Sequence, residues 1–164
     1  NDLLDMSKIE AGMLNYQIAG TDLNLLCKEV VNDLSSTTQN DVKLLFKPEK
    51  DSFIINTDKQ RLRQVIVNLV SNACKFTTEG EITISYKQLS TDCLEIRVTD
   101  TGIGIATENI PKLFNRFTKL NSNAKGTGLG LVICKSIIEH LGGEIGIESE
   151  LGKGSSFWFT HPIS

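Results

Sequence analysis

Apolar residues recur along the chain with two different periods, and the alternation between them predicts a mixed fold. Residues 2–14 place Leu3, Leu4, Ile9 and Met13 where a helix could turn them toward a partner, with Gly12 weakening its end. Asp22 is a capping residue type, and from it to about Ser36 the residues Leu23, Leu26, Val30 and Leu34 recur at helical spacing. Val42 to Phe46 and Phe53 to Asn56 are short β-prone runs separated by Pro48 and charged residues, so a hairpin-like pair is expected there. Asp58 then caps a long helix reaching Phe76, with Leu62, Val65, Ile66, Leu69, Val70 and Ala73 on one face. Period two returns in residues 81–88, where Ile82, Ile84 and Tyr86 alternate with polar residues, and again in residues 93–99. An irregular polar stretch over residues 100–126 leads into a helix over 129–141, which Gly142 and Gly143 stop before two final strands at 144–149 and 155–160.

Strands in hairpins with helices interspersed favour an α+β two-layer sandwich, all helices on one face of the sheet, over a doubly wound parallel sheet. A length of 164 residues with 40% hydrophobic content supports one compact domain with a core. The 17 basic and 20 acidic residues are scattered, with a net charge of -3 and no basic stripe, which argues against a nucleic-acid partner. No apolar run nears the ~20 residues of a membrane span, so a soluble segment making no membrane contact is expected. Cys27, Cys74, Cys93 and Cys134 are far apart, without a CxxC pair or metal-ligand spacing, and read as reduced cytosolic thiols. The chain starts at Asn1 inside an apparent helix, so it is expected to be a piece of a longer protein, with any membrane anchor elsewhere.

Gln64, Asn68, Asn72 and Lys75 form a second stripe on the helix after Asp58, beside the apolar face. An amide oxygen such as that of Asn68 suits Mg²⁺, which takes oxygen ligands, and Lys75 would neutralise phosphate charge. Alone, the stripe reads more readily as a solvated helix edge. Asp100 to Ile105 follows an apolar strand. There Gly102 and Gly104 would let backbone approach a flat ligand, and the Asp100 carboxylate could accept a hydrogen bond from an adenine amino group. Alone, it is equally an ordinary turn. Gly126, Thr127, Gly128, Leu129, Gly130 and Leu131 open a helix whose bare N–H groups and positive dipole end can meet a phosphate. The commoner nucleotide motifs fail: the third glycine of the dinucleotide fingerprint is missing, and Gly152-Lys153 is followed by Gly154 instead of Ser or Thr. No His-Arg-Asp or Asp-Phe-Gly triplet of the Ser/Thr/Tyr kinases occurs.

Taken together these segments resemble the sensor histidine kinases. Asn68 to Thr77 is similar to their N box, Asp100 to Ile105 to the first glycine box, Leu113 to Phe117 to the F box, Gly126 to Leu131 to the second glycine box, and Gly152 to Phe157 to the last, all in the family's order. Residues 1–14, with Leu3-Leu4-Asp5-Met6-Ser7-Lys8-Ile9-Glu10, are similar to the end of the second helix of the dimerisation and phosphoacceptor bundle, leaving 15–164 as the ATP-binding catalytic domain. The resemblance implies the Bergerat fold, a mixed sheet of about five strands with three helices on one face, plus a short N-terminal helix. It also implies ATP and Mg²⁺ as cofactors. Asn68 would ligate Mg²⁺ and serve catalysis, Asn72 and Lys75 would contact phosphates, and Phe76 would border the nucleotide. Asp100 would read the adenine amino group, in a loop with Gly102, Gly104 and Ile105, and the Ser155 hydroxyl would lie near the adenine. Arg116 matches an arginine reaching toward the γ-phosphate, which suits a reaction catalysed by positioning and charge neutralisation. Phe117 closes the F box, Lys119 and Lys125 of a short lid would contact phosphates, and Gln64 would help orient the incoming imidazole.

The same resemblance implies a protein histidine kinase that passes the phosphoryl group from ATP to a histidine of the bundle and on to a response-regulator receiver. The full-length protein would be a homodimer, with this domain in the cytoplasm and an anchor in the inner membrane. His140 and His161 are the chain's only histidines, and neither is followed by the acid of the phosphoacceptor context. The chain alone is therefore expected to bind ATP and Mg²⁺ without efficient self-phosphorylation. Two other readings share the motifs: an ATPase driving subunit closure, against which Gln64 argues because those enzymes usually carry a Glu there, and a nucleotide-sensing module without turnover.

Overall fold

In a computed structural model, which describes residues 2–38, 41–114 and 129–163, a five-stranded mixed sheet carries the core on one face. The elements are α1 (Asp2–Glu10), β1 (Ala19–Asp22), α2 (Leu23–Leu34), β2 (Val42–Lys47), β3 (Ile54–Thr57), α3 (Lys59–Phe76), β4 (Gly80–Gln88), β5 (Cys93–Asp100), α4 (Gly130–His140), β6 (Ile145–Glu150) and β7 (Gly154–Pro162). Short 3₁₀ turns occupy Ser35–Thr37 and Thr107–Lys112.

The sheet order is β2-β4-β5-β7-β6, with β2 parallel to β4 and every other pairing antiparallel. Alternation decides which side is buried. Register aligns Phe46, Ile84, Val98, Phe157 and Ile147 in one rung, and Tyr86, Ile96, Phe159 and Ile145 in the next. Against this face lie the apolar stripes of α2 (Leu23, Leu26, Val30), α3 (Leu62, Val65, Ile66, Leu69, Val70, Ala73) and α4 (Ile133, Cys134, Ile137, Ile138), all buried. The expected α+β two-layer sandwich is the observed one.

The hairpin expected from β2 and β3 does not form. Each run pairs elsewhere: β2 joins β4 in parallel, while β3 pairs antiparallel with β1 as a separate two-stranded sheet. Residues 48–53 carry the chain out of the main sheet, and buried Asn24 holds that crossing in place. Its amide donates to Lys50 O at 2.6 Å and accepts from Tyr86 Oη at 2.7 Å. The N-terminal helix is also shorter than expected, ending at Glu10, with Gly12 at φ +68 in the left-handed region.

Asp58 serves two segments at once. Its Oδ1 accepts from Arg61 N at 3.0 Å, capping α3, and its Oδ2 accepts from Gln17 N at 2.8 Å, fixing the segment that leads in from α1. The cap expected at Asp22 is likewise formed, with Oδ1 accepting from Asn24 N at 3.0 Å.

Candidate nucleotide-binding site

One end of the sheet's buried face turns polar. The rung after Val98 and Phe157 consists of Ile82, Asp100, Ser155 and Ser149. Asp100 is 4% exposed, and its Oδ1 accepts from Gly102 N at 2.9 Å and Ser155 N at 3.3 Å. Burial raises its pKa above the ordinary carboxylate value, opposed by the Gly102 and Ser155 amides and the nearby Thr77 hydroxyl. Thr77 Oγ1 is buried and close enough to be felt by that carboxyl, yet it forms no well-aligned hydrogen bond. A buried carboxylate beside an unsatisfied hydroxyl is costly unless something polar is received there.

The chain holds this rung with its own hydroxyls. Ser149 Oγ accepts from Ile105 N at 2.8 Å, donates to Gly154 O at 3.0 Å and lies 2.7 Å from Ser155 Oγ. Ser149 was not singled out from the sequence, although strand alternation across the β6–β7 hairpin would have set it opposite Ser155. The two loop glycines are also needed by the protein's own packing. A Cβ on Gly102 would stand 2.1 Å from Phe76 O, and one on Gly104, at φ +73, would stand 2.1 Å from Glu150 O. Both are required by close approach to protein backbone. The loop is sewn to α3 by Ile103 N donating to Phe76 O at 3.1 Å, and to the β6–β7 turn by Gly152 N donating to Ile103 O at 2.6 Å.

Helix α3 carries the rest. Asn68 and Asn72 are half-buried and Lys75 is exposed, on one edge leading toward the Asp100 loop. Neither Asn72 nor Lys75 makes a side-chain hydrogen bond or ion pair among the described residues. Asn68 Nδ2 donates to Cys134 Sγ at 3.6 Å, and a Cβ on Gly130 would lie 3.9 Å from the same nitrogen. The start of α4 therefore adjoins Asn68, and Leu129, its N-cap, supplies no side-chain hydrogen bond to the first amides. Leu129 is buried and Leu131 half-buried. Gln64 lies at the opposite end of the stripe, engaged on both sides: Arg61 Nη1 donates to its Oε1 at 2.9 Å, and its Nε2 donates to Asp5 Oδ2 of α1 at 3.0 Å.

Asn68, Asn72, Lys75, Phe76, Asp100, Gly102, Gly104, Ile105, Leu129, Gly130, Leu131 and Ser155 thus belong to elements that meet around one end of the sheet. Arg116, Phe117, Lys119, Lys125, Gly126, Thr127 and Gly128 lie outside the described residues. The donor set fits a nucleotide with Mg²⁺: amide oxygens and a cation along α3, the N-terminus of α4 with no side-chain cap, and at the far end a carboxylate with a hydroxyl that has no partner among the described residues. No cluster of His, Cys, Asp or Glu able to hold a metal by itself occurs among the described residues.

The two histidines are held by packing. His161, 2% exposed, makes hydrogen bonds from both ring nitrogens, Nδ1 to Pro162 O at 2.6 Å and Nε2 with Thr57 Oγ1 at 2.9 Å, and burial lowers its pKa. His140 stacks on Tyr16 with ring centroids 3.8 Å apart. The cysteines are all free thiols, and burial drives Cys27 up to about 12. No described helix is long and apolar enough to cross a membrane.

The sequence family described as "Histidine kinase-, DNA gyrase B-, and HSP90-like ATPase" matches residues 57–164. The chain belongs to this family. Among solved structures, the catalytic domain of histidine kinase ThkA superposes with a TM-score of 0.80 at 31% identity, covering 90% of this chain and 96% of that one. Full-length ShkA, crystallised in complex with AMPPNP, superposes with a TM-score of 0.92 at 28% identity, covering 100% of this chain and 35% of that one. Sensor protein GacS of Pseudomonas syringae pv. syringae is 39% identical over 171 residues, spanning 98% of this chain and 19% of that protein. Hybrid signal transduction histidine kinase B of Dictyostelium discoideum is 38% identical over 176 residues, spanning 99% of this chain and 9% of that protein. The chain therefore spans a fifth or less of these two curated relatives, in the part that carries the ATP-binding catalytic domain of two-component sensor histidine kinases, which are transferases.

Proposed function

We propose that the chain binds ATP with Mg²⁺ and, within the protein it belongs to, directs the γ-phosphoryl group to a histidine of a phosphoacceptor bundle. Residues 1–14 would be the last part of that bundle and 15–164 the catalytic domain. The observation that carries this reading is the unspent polar chemistry at one end of the sheet: Asn72 and Lys75 without polar partners among the described residues, the start of α4 without a side-chain cap, and buried Thr77 Oγ1 beside Asp100.

Asp100 and Thr77 receive the adenine edge, with Ser155 beside them and Phe76 and Ile105 bordering the base. Asn72, Lys75 and the amides from Gly126 to Leu131 hold the phosphates, with Lys119 and Lys125 adding charge from the lid. Asn68 offers its amide oxygen to Mg²⁺, which when bound neutralises phosphate charge. Arg116 steadies the γ-phosphoryl group, and Gln64 orients the acceptor imidazole. In the transfer, the bond from the γ-phosphorus to the bridging oxygen breaks and one to an imidazole nitrogen forms, leaving ADP. Gln64 favours transfer over hydrolysis, since an amide tied to Arg61 and Asp5 is no general base for water.

A response-regulator aspartate would take the phosphoryl group onward, the full-length protein would be a homodimer, and this domain would lie in the cytoplasm with any inner-membrane anchor elsewhere. Mixing the chain with the bundle of its own protein, γ-labelled ATP and Mg²⁺ tests the reading. Label is expected on the bundle histidine and on neither His140 nor His161. Measured ATP binding with no transfer, or label on His140, overturns it.

A further inference from the structure

The amide of Asn68 is held from behind. Its Nδ2 donates to the Sγ of Cys134 at 3.6 Å, and that thiol, fully buried, lies 3.9 Å from Val65 O on the same helix as Asn68. Cys134 sits four residues after Gly130 on α4, so both face α3 on one side of the helix. A Cβ on Gly130 would come within 3.9 Å of Asn68 Nδ2 and 4.0 Å of its Cγ. The nitrogen side of the amide is therefore turned into the α3–α4 seam.

We infer that Cys134 is a positioning residue for Asn68: its sulfur accepts the amide N–H and so turns Oδ1 outward, as an oxygen ligand for a divalent cation must be turned. An amide has two nearly isosteric ends, and only one can serve Mg²⁺. Rotated by half a turn, Asn68 would present an NH₂ donor to the cation and its oxygen to the seam. A thiol is a weak acceptor, but the sulfur is fully buried in the α3–α4 seam, and the Asn68 N–H turned into that seam has no other acceptor among the described residues. The S–H is directed to Val65 O, leaving a sulfur lone pair for the Asn68 amide. The inference rests on Asn68 being the Mg²⁺ ligand, as proposed above.

The test compares nucleotide affinity in Mg²⁺ with affinity in EDTA, using ADP as the probe, for the parent chain, Cys134→Val, Cys134→Ser and Asn68→Ala. Valine nearly conserves volume and removes the acceptor, and serine keeps an acceptor. Cys134→Val is expected to lose about threefold to tenfold of the gain that Mg²⁺ brings, the size of one modest hydrogen bond, with EDTA affinity and melting temperature nearly unchanged. Cys134→Ser is expected to keep the gain. The side-chain NH₂ resonances of Asn68 should shift in the valine variant before any nucleotide is added. An unchanged Mg²⁺ gain in Cys134→Val, equal losses in the valine and serine variants, or equal losses with and without Mg²⁺ each overturn the positioning role. If Asn68→Ala keeps the full Mg²⁺ gain, the ligand assignment has failed instead, and the inference falls with it.

Discussion

At the scale of single residues, Asp100 combines burial at 4% exposure with two backbone amides on one oxygen and an unsatisfied hydroxyl nearby. Its raised pKa means that the folded state favours the protonated acid. Stability from this group is complete below the unfolded carboxylate value, about 3.9, and is lost as pH rises through the higher folded value. Near neutral pH the ionised carboxylate is thus a cost that the free domain bears for its ligand. Asp100→Asn keeps an oxygen for the Gly102 and Ser155 amides and offers Thr77 Oγ1 a donor. It should stabilise the ligand-free domain by about 1 kcal/mol at pH 7, a rise of about 3 °C in melting temperature, shrinking to nothing below pH ~4. Nucleotide binding should be lost in the same variant. A melting scan at two pH values checks it, and a less stable Asp100→Asn at pH 7 would contradict it. Asp100 itself was legible in the sequence, as a carboxylate ending an apolar strand before glycines. The roles of Thr77 and Cys134 were not, because each comes from a partner at least 23 positions away in sequence, which no local period encodes.

At the scale of elements, every long helix and every main-sheet strand among the described residues was legible, because each carries its own apolar period. The α3 face read from the sequence is buried to the last residue. Pairing was less legible. The β2 and β3 runs have strand composition but nothing that names a neighbour, and β1, with the sequence Ala-Gly-Thr-Asp, has almost no apolar signal of its own. It is a strand because Asp58 holds Gln17 on one side and Asp22 caps α2 on the other. The glycine box at residues 102–104 was legible as a special backbone, but its close approach to Phe76 O and Glu150 O was not, since glycine signals close approach without saying to what. Gly104→Ala tests that approach. A methyl at φ +73, meeting Glu150 O at 2.1 Å, must push the β6–β7 turn away, and backbone cannot yield as a flexible side chain can. The expected loss is about 3 kcal/mol in chemical unfolding, with ligand absent throughout. A stable Gly104→Ala would contradict this packing role.

At the scale of the whole molecule, α1 is joined to the body of the domain more firmly than its mainly exposed surface suggests. Leu3 and Leu4 face outward, while Met6 is buried and Ile9 packs on the core. Asp5 reaches Gln64 Nε2 at 3.0 Å and Arg61 Nη1 at 3.7 Å, and the latter pair is only 23% and 18% exposed. One carboxylate thereby ties the helix proposed to end the bundle to the first two turns of α3, the helix that also carries Asn68 and Asn72. Further along, Gln17 on Asp58 and Tyr16 on His140 fasten the connecting segment to α3 and to the end of α4. Movement of α1 is thus felt at Gln64 first, at one end of the nucleotide stripe. Asp5→Asn removes the ionic contact while keeping an acceptor, and Asp5→Ala removes both. The alanine variant should loosen α1 by about 1 kcal/mol, raising hydrogen exchange of the α1 amides about fivefold relative to those of α4, with the asparagine variant between. Nucleotide affinity should be unchanged in both, because Gln64 lies at the far end of the stripe from Asp100. Unchanged α1 exchange in Asp5→Ala would mean that Met6 and Ile9 alone hold the helix, and that the polar contact carries no coupling between α1 and α3.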